Sequence, residues 1–492
     1  MNNTARRLIS LMLAILTLAF VFASCADSSP EETTAGGEAA GTTLPEETTE
    51  DIYDKDGFLK DRIPETLNYG GEVVDILYWN NAKNAEYDTE DDGDIINSSI
   101  FNRNNIVEDR IGIQFNWIGE KGDYSQRNDF NDIISADLSG SCIYDIISAY
   151  STTIAMAATH GYATDLLEYQ DALSFDMPWW GADLTEMATI NDKLYFATGD
   201  ISTNYLLRMY GTFFNKTLID DNKLANPYDL VDDNKWTVDE FIKLASVFKG
   251  DSSTGGEVTY GLVHDAITLE ALFYGSNLKF VEKDADDVPY LSESWKDVRA
   301  QSLMDKMAAY CKTSSVLNDS KEDENTFAKG SSLFVIYSLD LAMNYLGGGD
   351  LDYGIVPIPK YDADQENYST TLNYKYSLYM ISKGTDIPEI AAYTLEAMAS
   401  QSYRTVTPDL YEVAMKIRYV TDVTSQRMID HIRDGVSFEI GRTFTHVFDY
   451  DTYRTIRKAL AGTADAGWQS TATSYAPVFE KNLKTLIDAF NS

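Results

Sequence analysis

Histidine is scarce in this chain, with four residues among 492. His160, His264, His431 and His446 are scattered, and none belongs to an HExxH pair or stands beside a Ser or Cys nucleophile motif. That removes the usual signatures of zinc proteases and triad hydrolases. Cysteine is scarcer still, with three residues. Cys142 and Cys311 lie far apart with no CxxC or Cys/His spacing, so no zinc site is expected and both read as buried structural thiols, a bridge between them staying open. Basic residues number 39 against 78 acidic ones, a formal net charge of -39. Phosphate recognition depends on clustered Lys and Arg, so nucleic acid is excluded as a partner and anionic ligands are disfavoured. After the N-terminal apolar run no stretch approaches membrane-spanning length, and no internal repeat, metal motif or cofactor motif is present. "DKDG" at Asp54 to Gly57 has its glycine at the wrong offset for an EF-hand and no closing Glu, and reads as a turn.

What is present begins with Arg6 and Arg7, the apolar run Leu8 to Val21, and then Phe22, Ala23, Ser24 and Cys25. The apolar run is too short for a spanning helix, which needs about 20 residues, and has the layout of a signal peptide. Two small residues before a cysteine resemble a bacterial lipobox, in which the cysteine is lipidated and becomes the new N-terminus. Phe22 departs from the leucine usual there, and a plain secretory cut near Ala23 is the alternative. Ala26 to Asp51 is built from small and acidic residues with no Lys or Arg, a composition that cannot bury a core. Residues 1–24 are therefore expected to be a lipoprotein signal peptide, Cys25 the lipidated residue, and 25–68 a disordered acidic tether on the extracytoplasmic face of a cell membrane.

The pattern then turns globular. "EVVDILYW" reads as a buried strand, Ile96, Ile100, Val107 and Ile111 recur at helical spacing up to Gly112, "IQFNW" alternates, and "YDIISAY" is another buried strand. Strand and helix in alternation mark an α/β lobe. A second such region runs through "YGTFFN", a helix opened by Thr237 and Glu240 as a capping box with Trp236 and Phe241 as its hydrophobic staple, and "SLFVIYSL". "LDYGIVPIPKYD" is extended and proline-marked, "YKYSLYMIS" is a strand, Asp386 and Glu389 read as the cap of the next helix, and helical pattern dominates the remainder.

Read in order, "FFNKTLIDD", "NPYDLVDDNKWTVDEFIKLA", "FAKGSSLFVIYS" and "YGIVPIPKYD" resemble the family 1 extracellular solute-binding proteins, the sugar-binding subunits of ATP-binding cassette importers, related to maltose-binding protein. The resemblance implies an α/β, two-lobed periplasmic-binding-protein-like fold with a hinge and an inter-lobe cleft. It places lobe one at 69–196 plus 356–403, lobe two at 202–353 plus 408–492, and hinge segments near 197–202, 354–359 and 404–408. It also implies a monomer that captures a carbohydrate, expected here to be a neutral oligosaccharide, and delivers it to transporter permease subunits, with no cofactor, no metal and no catalysis. The alternatives are a surface glycoside hydrolase and the same fold binding a peptide or another polar nutrient.

Open α/β sheets bind ligands outside the carboxyl ends of their strands, and sugars need an aromatic face beside directional polar groups. Those two rules select Trp79, Asn80 and Asn81 after the first strand, Tyr150 and Ser151 after "DIISA", and Tyr337 and Asp340 after "LFVI". The hinge positions that the resemblance implies add Trp179 and Trp180 before the first hinge, Asp200 at that hinge, and Tyr374 at the strand after the second. Trp79 and Tyr337, one from each lobe, are expected to clamp the ligand, with a core role as the competing reading of Trp79.

Overall fold

In the computed structural model the chain is described over residues 52–250, 258–319, 322–411 and 422–491. Cys25, the signal segment and the tether up to residue 51 lie outside the described residues. The first sheet opens with β1 (Glu72–Trp79), whose Val74, Ile76 and Leu77 are fully buried. The helix Ile95–Ile111 follows, capped by Asp94, and ends on Gly112 at φ +66°, the left-handed conformation glycine adopts without penalty. Parallel β2 (Ile113–Glu120) then lies beside β1, and β3 (Ile146–Tyr150), buried along its whole length, lies on its other side.

The chain leaves this sheet through Ala197, which still pairs with Tyr379, and Met209, which pairs with Leu372. The second sheet comprises β4 (Tyr210–Asn215), β5 (Tyr260–His264), β8 (Val316–Asn318), β9 (Ser332–Ser338) and β10 (Tyr353–Val356), in the order β10-β4-β9-β5-β8, and a small hairpin of β6 (Val281–Lys283) and β7 (Pro289–Leu291) stands apart. β11 (Ser377–Ile381) then returns to the first sheet as the antiparallel neighbour of β3, giving β11-β3-β1-β2. The helix Pro388–Arg404 packs on the helix Ile95–Ile111 of lobe one, and Val423–Asp434 packs on β10 of lobe two.

Four sequence-based placements change. The segment 354–359 is not a crossing: β10 pairs with β4, and Pro357 accepts a hydrogen bond from the Trp236 indole at 2.8 Å, so residues 356–371 stay with lobe two. The two prolines follow an edge strand, where no ladder N–H is required of them, and the chain crosses back at Leu372–Ser377. Residues 53–68 are not a free tether. Ile63 is buried, and Asp61 pairs with Arg110 at 2.6 Å and Arg404 at 3.3 Å, which pins this segment to both lobe-one helices. Cys142 is exposed and not buried, and both it and Cys311 are free thiols. The helix at Pro388 starts from Ile387 without a side-chain cap, so Asp386 does not cap it. At the other helix start the signature is partly made: the Thr237 hydroxyl accepts from Glu240 N at 3.4 Å, and Trp236 meets Phe241 edge-on at 6.0 Å. Among the described residues no helix is long and apolar enough to cross a membrane.

Candidate functional site

The carboxyl ends of β3, β5 and β9 face one cavity of about 380 Å³ between the two lobes. Lobe one contributes Tyr124, Tyr150 and Thr152, and lobe two contributes Asp265, Thr268, Asp323, Glu324, Tyr337, Thr445, Tyr453 and Arg457. Asn373, Tyr374 and Lys375 enter from the Leu372–Ser377 crossing. Five tyrosines drawn from both lobes and the crossing thus stand among threonines, an amide and carboxyl groups, which is the mixture a polyhydroxylated ring requires.

The floor is an ion network. Glu270, with no exposed side-chain surface, accepts from Arg442 Nη2 and from Arg457 Nε, each at 3.0 Å. The Arg442 guanidinium stacks 3.9 Å from the Tyr374 ring centroid and that of Arg457 lies 4.0 Å from Tyr453. Tyr374 is therefore held from beneath by a cation, while Ser151 donates to its carbonyl at 2.7 Å. On the lobe-two rim, burial and the neighbouring Glu324 hold the Asp323 carboxyl well above the usual carboxylate range. The lobes also meet beside the cavity. Tyr124 and Tyr453 hydroxyls lie 3.2 Å apart, Arg127 donates to Tyr450 at 2.6 Å, and Lys83 donates to Tyr345 at 3.0 Å.

Of the residues selected by sequence, Tyr150, Tyr337 and Tyr374 line the cavity. Trp79 does not. It is 2% exposed, packs edge-on behind Tyr150 at 5.9 Å, and donates from its indole to Tyr87 and Ser377. Trp79→Phe should therefore cost about 1–2 kcal/mol of stability through lost hydrogen bonds while ligand affinity stays near wild type, as denaturant melts and calorimetry would show. Asn80 is exposed and does not line the cavity, and Asn81 is spent locally, accepting from Gly122 N at 3.1 Å and facing Gln126. Asp340 is buried in an ion pair with Arg208 at 2.6 Å. Trp179 and Trp180 sit in the lobe-one core, where both indoles donate to Glu396.

Asp200 also lies outside the cavity, buried and 3.6 Å from Arg433. Burial pushes its carboxyl up to about 7 against the pull of Arg433 and Thr407, and burial pushes Glu396 up to about 7 against its indole and backbone donors. The ordinary values are 3.8 and 4.5, so between roughly pH 4 and 7 the folded state binds more protons than the unfolded one. Stability should accordingly fall as pH rises through that window, by up to about 1.4 kcal/mol per pH unit for each group, and level off above it. Urea melts between pH 5 and 8 should show this slope, and Asp200→Asn should make it shallower.

Sequence reasoning missed Tyr124, Tyr453 and Arg457. The last two carry a signal in "TYRTIRKAL": an aromatic and a cation four residues apart on one helix face.

No model of a known protein family matches the chain, and no curated protein matches it. Solved structures do. The galacto-N-biose/lacto-N-biose I-binding protein of an ABC transporter from Bifidobacterium longum, in complex with lacto-N-biose, is similar with a TM-score of 0.57 at 11% identity, covering 85% of this chain and 98% of that one. A cyclo/maltodextrin-binding protein complexed with maltotetraose gives 0.56 at 12% identity over 85% and 99%. A sugar transporter from Rhizobium etli in an open conformation gives 0.55 at 13% identity over 85% and 99%. The chain has the two-lobed fold of these solute-binding proteins.

Proposed function

We propose that the protein is the lipid-anchored, extracytoplasmic binding subunit of an ABC importer, a monomer that captures a carbohydrate in the inter-lobe cavity and hands it to the permease. The observation that carries this reading is the set of tyrosines facing one cavity from both lobes, among polar groups able to serve sugar hydroxyls. The ligands of the similar structures, lacto-N-biose and maltotetraose, support it. The alternative, a hydrolase, needs two carboxyls about 5–10 Å apart across the scissile bond and would leave cleaved product where a binder leaves none.

A thermal-shift screen of oligosaccharides and peptides tests the ligand class, because a ligand specific to the native state raises its melting temperature. Stabilisation by saccharides, with no cleaved product on chromatography, is the expected result. Stabilisation by peptides alone would reject the carbohydrate reading. The anchor is tested by fractionation: Cys25→Ser should move the protein from the membrane to the soluble fraction, and a variant that stays membrane-bound and processed like wild type would reject lipidation.

A further inference from the structure

The tyrosine rings that line the cavity fall into two groups. Tyr124 packs on Tyr150 at 6.3 Å between ring centroids, Tyr374 packs on Tyr453 at 5.9 Å, and the hydroxyls of Tyr124 and Tyr453 lie 3.2 Å apart. These four rings form one platform. Tyr337 belongs to another, packing on Tyr345 at 6.2 Å. Each platform also carries a bridge across the cleft. At the first, Arg127 of lobe one donates to the Tyr450 hydroxyl at 2.6 Å, its guanidinium 4.2 Å from the Tyr124 centroid and 5.0 Å from that of Tyr450. At the second, Lys83 of lobe one donates to the Tyr345 hydroxyl at 3.0 Å, its ammonium 4.1 Å from that ring centroid.

Two platforms suit two sugar rings, each of which packs its C–H face on an aromatic surface. A saccharide chain running past either platform would have to part a bridge, giving up its hydrogen bond and its cation–π contact. The size of the cavity agrees. A saccharide residue contains about six carbon–oxygen units, each with about the bulk of a water molecule, roughly 30 Å³, so a cavity of about 380 Å³ holds about two residues. We infer that the ligand is a short saccharide of about two rings, enclosed between the bridges, and that Lys83 and Arg127 set its length limit. This rests on the carbohydrate reading of the cavity, and it narrows the oligosaccharide expected from sequence to the shortest members of that class.

The test is calorimetry on the purified protein with linear α-1,4-glucan, β-1,4-glucan, β-1,4-mannan and β-1,4-xylan series, each supplied from one to six residues. In a series that binds, affinity should peak at two residues and fall about tenfold or more by four. Lys83→Ala, at an exposed position, should bring the two-residue and four-residue affinities closer together, and an unchanged ratio would overturn the bridges as the limit. Equal or tighter binding of members with four or more residues would overturn the length assignment and leave the carbohydrate reading standing. Binding of no member of any series, by a protein that binds peptides, would overturn both.

Discussion

Glu270→Ala is expected to lower folding stability by about 3–5 kcal/mol, the usual cost of breaking a buried ion pair from one side. The carboxylate is fully buried and is the shared counter-ion of Arg442, itself 4% exposed, and Arg457. Its removal strands two guanidiniums in the cavity floor, and the Arg442 side chain that supports Tyr374 keeps the Leu372 carbonyl as its side-chain acceptor but loses its counter-ion. Ligand affinity should fall with stability for that reason. Replacing Glu270, Arg442 and Arg457 together with apolar residues of similar volume should recover much of the stability, because no uncompensated charge is left, but not the affinity. Urea unfolding of the single and triple variants reads the first effect and calorimetry the second. A single variant within about 0.5 kcal/mol of wild type would show that the network is not what holds the floor.

Tyr337→Ala and Tyr374→Ala are each expected to weaken ligand binding by about 2 kcal/mol, roughly thirtyfold in Kd, as central aromatic contacts do. The two rings come from different segments, the end of β9 and the inter-lobe crossing, while Tyr150 faces the same cavity from lobe one, so a ligand touching Tyr150 and Tyr337 together is held only while the lobes are together. Tyr374→Phe separates the ring from its hydroxyl. That hydroxyl has no protein partner, so its loss should leave stability unchanged or slightly raised, yet affinity should fall about tenfold if the hydroxyl donates to the ligand. Unaltered affinity in both alanine variants would remove these tyrosines from the binding surface.

Much of the fold was legible because strands and helices advertise themselves by period. The buried runs of β1 and β3, the helix stopped by Gly112 and the Thr237 cap all follow from local patterns. The second crossing was misplaced because prolines mark an edge strand and a linker equally well, and only the pairing of β10 with β4 decides between them. The site was legible in part. The strand-end rule finds Tyr150 and Tyr337, but it cannot say which ring of a strand end faces the cleft, and Trp79 proved to be the layer behind Tyr150. Trp179 and Trp180 look like ligand platforms in sequence, and nothing local reveals that Glu396, more than two hundred residues later, receives both indoles. The floor joins Glu270 to two arginines more than 170 residues later, Arg442 and Arg457, and leaves no trace in spacing.

We propose that both lobes hold the saccharide in the cavity at once. A crystal structure of the protein with a saccharide that stabilises it in the thermal-shift screen tests this most directly. The expected result is the sugar ring against Tyr150, Tyr337 and Tyr374, with polar contacts to Arg457 and to the Asp265 and Asp323 rim. A sugar bound elsewhere, such as the lobe-two surface around Tyr368 and His431, with the inter-lobe cavity holding only water, would contradict it.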